Sequence, residues 1–239
     1  MSKFKHIVSA HSPSIEDALE SALSLKQRYG GGLVDVVTRQ YEERLSPGGF
    51  HGCRHWERVL INGLLLEQAL PDYVCADTIY LFALFHDSKR MREGEDPEHG
   101  TRGAAFFNEC VDKGLITFRE HLGEPNVSEI IANVSRACTL HSTSLFDDEP
   151  RVAACFDADR LDLERVSIYP DREKLNFQTA ISRTFVYECS MRAKRPLDVP
   201  IFGGGDTSVH DSLHRSVRSF SHESYTAGSS NFRYGFLRS

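Results

Sequence analysis

The stretch LFALFHDSKR, residues 81–90, constrains this chain more than any other. Its apolar run reads as a buried helix, yet it ends on adjacent His86 and Asp87 and then turns basic. Two polar groups at the rim of a core are costly unless something satisfies them. Ordinary hydrogen bonds would do so, and so would a shared metal ion. The second answer demands that other parts of the chain bring ligands to the same point.

Those other parts are helical in pattern. Residues 14–29 open on Ser14 and carry Ile15, Ala18, Leu19, Ala22 and Leu23 at near-helical spacing. Further helices are predicted over 33–45, 52–70, 73–87 (with Asp72 as a cap), 98–113, 127–141, 149–165 and 171–191, with a short segment near 116–121. SPGG at 46–49 and Pro71 punctuate them. GGLVDVV at 31–37 is the one weak strand candidate. A parallel α/β architecture needs several strands, so the expected fold is all-α.

The expected domain spans 1–195, with N-terminal helices over 14–45 and a motif-bearing core over 50–191. From 196 to 239 the chain is rich in Gly and Ser without a sustained apolar face, which predicts a flexible tail.

With 239 residues, 40% of them hydrophobic, the chain can bury a real core. A formal net charge of −6 offers no global attraction to nucleic acid or to an anionic membrane. No stretch approaches the roughly 20 apolar residues of a spanning helix. The six cysteines form no CxxC pair. They read as reduced packing residues of a cytoplasmic protein rather than as a thiolate zinc site.

The histidines with carboxylate neighbours form the constellation that could bear chemistry. HGCRHWERV places His51 and His55 four apart, on one face if both are helical. His86-Asp87 follows, then His99 in DPEHG, His141 in CTLHS, and Asp157, Asp159 and Asp162 in FDADRLD. Imidazole nitrogens mixed with carboxylate oxygens suit Fe, Mn, Co, Ni or Zn. Singly, each piece has a plain structural reading: a hydrogen-bonded rim histidine, or Asp-Arg pairs on a solvated face. Trp56, beside His55, reads as a core or rim residue, with base stacking as the alternative.

In their order and company these motifs resemble the HD-domain superfamily of metal-dependent phosphohydrolases. HWERV, the HD pair at 86–87 and ADRLD carry the resemblance, with DPEHG and HS similar to an uncharacterised bacterial subgroup. It covers roughly residues 45–190. It implies a helical HD-type bundle and metal ligands His55, His86, Asp87 and Asp159. Asp159 is preferred because the family's late aspartate directly precedes a basic residue and leucine, here Arg160-Leu161. Asp157 would orient a ligand.

The implied cofactor is one divalent transition metal (Mn, Co, Ni, Fe or Zn). A second ion, completed by His51, His99 and His141, is the alternative. Asp87, His99, His51 and Arg90 are the candidate catalytic residues, with Asp87 also accepting the proton of the attacking water. Lys89, Arg102 and His141 are the candidate substrate contacts. Arginine suits phosphate through its planar fork, and His99 at a helix start gains from the helix dipole. Glu93, Asp96 and Glu98 crowd the same loop and argue against a highly charged anion there without metal.

The expected partner is a nucleotide or another small phosphorylated metabolite, hydrolysed as a monoester or diester, with neither membrane nor nucleic acid involved. Two rivals share the ligand set: a di-iron oxygenase, and a non-catalytic nucleotide-sensing module. The oligomeric state stays open.

Overall fold

A computed structural model describes residues 3, 4, 7, 13–46, 48–118, 127–195, 197 and 199–203. Among them the fold is all-α, with eight α-helices and no strand. In chain order these are α1 (Ile15–Tyr29), α2 (Gly31–Glu42), α3 (Cys53–Ala69), α4 (Ala76–Phe85), α5 (His99–Asp112), α6 (Val127–Leu140), α7 (Pro150–Arg160) and α8 (Arg183–Ala193). Short 3₁₀ turns occupy Leu163–Val166 and Arg172–Lys174.

The central element is α4. It packs against α1, α2, α3, α5, α6 and α7, and every residue from Asp77 to Phe85 is buried. A helix that is apolar all round must be enclosed in this way. Each fully buried Leu or Phe contributes roughly 1.5–3 kcal/mol. Gly63 of α3 lets the two helices close: a Cβ there would stand 2.3 Å from Cγ2 of Ile79.

Local chemistry sets several helix ends. Ser14 caps α1 by accepting from the Asp17 N–H, with Glu16 and Asp17 in the first turn and Lys26 and Arg28 in the last. Gly30, at φ +84°, ends α1, donates to the Lys26 carbonyl and opens α2. The strand candidate 31–37 is therefore helical. Glu149 caps α7 ahead of Pro150. Asp72 caps nothing: it lies in a turn, and α4 starts after Cys75.

Two predicted helices are broken. The 149–165 segment stops at Arg160, and a 3₁₀ turn then closes at Ser167 with φ +62°. Of 171–191, only the end is α-helical, within α8. The buried Asp157 carboxylate accepts from the Asn176 and Phe177 N–H groups at 2.7 and 2.9 Å. Those donors are thereby taken from any helical ladder, while Leu175 and Phe177 enter the core. Of the segment near 116–121, residues 116–118 are non-helical with Ile116 buried, and the rest lies outside the described residues.

Residues 199–203 are docked. Glu57 Oε1 accepts from the N–H groups of Ile201, Phe202 and Gly203 at 2.7, 2.8 and 3.1 Å. Val199, Ile201 and Phe202 are buried, and the Phe202 ring meets Tyr80 edge-on. The tail predicted from 196 thus fails over 199–203, and its remainder, 204–239, lies outside the described residues. All six cysteines are buried and free, as packing residues should be. No described helix is long and apolar enough to cross a membrane.

Candidate metal centre

The ends of four helices converge around the end of α4. His86 continues its helical backbone, and its Nδ1–H donates to the Phe82 and Ala83 carbonyls at 3.2 and 3.0 Å. Asp87 follows at once. His55 comes from the first turn of α3, His99 opens α5, His141 follows α6 and Asp159 sits in the last turn of α7. Two glycines bring α5 in. A Cβ on Gly103 would stand 2.6 Å from the Phe85 carbonyl oxygen, and one on Gly100 would stand 2.2 Å from that of Cys138. Backbone would block the approach at both positions, so only glycine fits.

The six side chains form two triads, His55–His86–Asp159 and Asp87–His99–His141, each of which could hold a metal ion. In the first, His55 Nε2 stands 3.1 Å from His86 Nε2 and 3.2 Å from Asp159 Oδ1. In the second, His99 Nε2 stands 2.9 Å from His141 Nε2 and 3.2 Å from Asp87 Oδ1. Asp87 joins them: its other oxygen, Oδ2, lies 3.7 Å from both His55 Nε2 and His86 Nε2. The ligand set read from the sequence is thus divided, and His99 and His141 complete its second half.

Proton placement tests whether a cation fits. His55 Nδ1 meets Asp162 Oδ2 at 2.7 Å, and His141 Nδ1 meets the Cys138 carbonyl at 2.7 Å. The His99 Nδ1 partner is the Asp96 carbonyl. None of these acceptors can donate, so all four Nδ1 atoms carry the proton and all four Nε2 atoms present lone pairs. Two pairs of lone pairs then face each other at 2.9 and 3.1 Å. Two ligands bound to one ion at about 2.0–2.1 Å and near right angles are about 3 Å apart. Asp159 Oδ1 is buried and lacks a hydrogen-bond donor altogether. Facing lone pairs and an orphaned carboxylate oxygen are what a shared cation would satisfy.

Electrostatics favours the same protonation states. Burial pushes His86 down to about 3 and lowers His141, keeping both imidazoles neutral. Burial alone would raise Asp87, but the Arg90 guanidinium beside it opposes that, and the carboxyl stands well below its usual range. Asp159 stands well below its usual range against the same burial, with the fixed charge of Arg165 acting on it.

The other predicted residues fall into distinct places. His51 precedes α3 rather than sharing its face. Its Nδ1 meets Glu93 Oε2 at 2.8 Å, and its ring centroid lies 6.2 Å from that of His55. Arg90 donates to Asp87 Oδ1 at 3.2 Å and to the Gly94 carbonyl at 3.1 Å. Lys89 turns away, bonding Gln40 and lying over the Phe106 ring. Arg102 braces the 91–98 loop, its Nη2 donating to both Asp96 oxygens. Trp56 is fully buried, edge-on to Tyr41, with its Nε1–H on the His51 carbonyl, so it cannot stack a base.

Asp157, expected to orient a ligand, instead holds the 176–177 backbone. That orienting role belongs to Asp162. It receives the His55 Nδ1–H and is fixed by Arg58, whose Nε and Nη2 donate at 2.6 and 3.0 Å. HWERV and ADRLD contain both residues, an arginine three after His55 and an aspartate three after Asp159, but no local spacing pairs them. Arg165 was also missed; it donates to the Phe50 and Asp162 carbonyls at 3.1 and 3.2 Å.

No protein-family model, curated protein or solved structure matches this chain.

Proposed function

We propose that this protein is a metal-dependent phosphohydrolase with two adjacent cation sites, acting on a nucleotide or another small phosphorylated metabolite. One observation carries the reading: Asp87 presents one oxygen to each of two His/Asp triads. Ions held there would supply a water-derived nucleophile at neutral pH and offset negative charge on the phosphoryl oxygens.

The chain's own residues have complementary tasks. Asp87, held low and shared between the triads, is a ligand and a poor proton acceptor. His51 suits proton transfer better. It is half-buried, its Nδ1 is oriented by Glu93, and burial lowers its basicity from the ordinary imidazole value. Arg90 and Arg165 bring fixed positive charge beside the carboxylates, where a phosphoryl group would need it. Lys89 and Arg102, each committed to other partners, support the surrounding loops instead.

The test is a screen of phosphomonoesters and diesters with Mn, Co, Ni, Fe or Zn, run beside Asp87→Ala. Metal-dependent phosphate release that disappears in the variant supports the reading. No release from any substrate, or release that survives the substitution, refutes it. Four imidazoles and a shared carboxylate also suit two irons. Two bound irons with oxygen consumption would favour an oxygenase.

A further inference from the structure

The two triads have unlike surroundings. In the first, Asp159 offers Oδ1 with no protein donor on it. His55 donates its Nδ1–H to a carboxylate, Asp162, which strengthens the opposite nitrogen as a ligand. In the second, His99 and His141 donate only to backbone carbonyls. The one carboxylate oxygen there, Asp87 Oδ1, already accepts from the Arg90 guanidinium at 3.2 Å. Arg90 is itself buried and anchored on the Gly94 carbonyl. Arg165 acts on Asp159 through its charge but makes no hydrogen bond to it, since its donors go to the Phe50 and Asp162 carbonyls.

We propose that the two cation sites are unequal: His55–His86–Asp159 is the tight site, and Asp87–His99–His141 is a loose site whose affinity Arg90 sets. A cation at the second triad must share its only carboxylate oxygen with a guanidinium, in surroundings that screen the repulsion poorly. In the first triad no guanidinium is hydrogen-bonded to Asp159 Oδ1. The chain therefore fills in order, and the second ion enters only as the free metal concentration rises. This rests on the metal-binding half of the reading above and not on the reaction assigned to it.

Titration calorimetry and equilibrium dialysis with Mn²⁺ alone, on the full chain after chelator treatment, test the proposal. The unaltered protein should bind one ion tightly and a second at least about tenfold more weakly. Asp162→Asn should weaken the tight step by about 10–100-fold and spare the loose one. Arg90→Met should strengthen the loose step by about tenfold and spare the tight one. If Arg90→Met does not fold, Arg90→Gln, which keeps a donor for the Gly94 carbonyl, gives the same test. Two equal steps overturn the proposal, as does an Arg90 variant in which the loose step is no tighter. Unequal steps in a protein that hydrolyses no phosphoester uphold the inequality and dismiss the phosphohydrolase; failure to bind any ion dismisses both.

Discussion

Asp157 and Asp159 stand two positions apart on α7, about 200° around its axis. Asp157 points toward the 176–177 backbone and accepts three hydrogen bonds, from Asn176 N, Asn176 Nδ2 and Phe177 N. Asp159 points toward His55, and its Oδ1 accepts none. Their substitutions should separate cleanly. Asp157→Asn leaves buried donors badly matched and should cost about 1–3 kcal/mol, read from urea unfolding, with metal content unchanged. Asp159→Asn should leave the unfolding midpoint nearly unaltered without metal but lose one ion per chain by elemental analysis. The choice of Asp159 over Asp157 was legible in ADRLD. The work of Asp162 was not, because its partners His55 and Arg58 lie more than 100 positions away.

Elements rather than single side chains decide how near the triads stand. Glycines at two different helix crossings make opposite predictions. Gly63→Ala would press on the Ile79 side chain between α3 and α4, away from the ligands. It should cost about 1–3 kcal/mol while metal stoichiometry is kept. Gly103→Ala would press on the Phe85 and His86 carbonyls and lever α5 off the end of α4. A similar stability loss is expected there, joined by loss of the ion shared by Asp87, His99 and His141. Thermal melts read beside Mn²⁺ binding separate the two, and Gly103→Ala with both ions retained would show that α5 does not set the second triad. Most elements were readable from period and punctuation: α1, α3, α5 and α6 lie close to their predicted spans. The segment before α8 was misread because its Leu175 and Phe177 mimic an apolar helix face, while Asp157 holds their backbone in another conformation.

At the scale of the whole molecule, binding and folding should be coupled. The candidate ligands come from α4 and four helices packed against it, so an ion bound by the folded chain alone would stabilise all of them together. At a free concentration 100 times the dissociation constant, one such ion contributes about 2.7 kcal/mol. In a domain of this size that corresponds to a melting-temperature rise of about 5–10 °C. Differential scanning calorimetry with excess chelator should therefore melt the protein lower by that amount, reversed by added Mn²⁺. A melting point indifferent to both would mean that the triads hold no ion.

The sequence by itself determined the helical class, the apolar α4 with His86 and Asp87 at its end, and the residue types available for a cation. These follow from contacts within a few positions, which periodicity and caps record directly. Only the tertiary structure decided that six candidate ligands divide into two triads joined by Asp87, that Asp162 orients His55, that Arg90 lies on the second triad's carboxylate and that Glu57 gathers residues 201–203. Each of those depends on backbone direction carried across several helix crossings. No local pattern encodes such a sum, because the same amphipathic stripe is compatible with many partners until packing selects one.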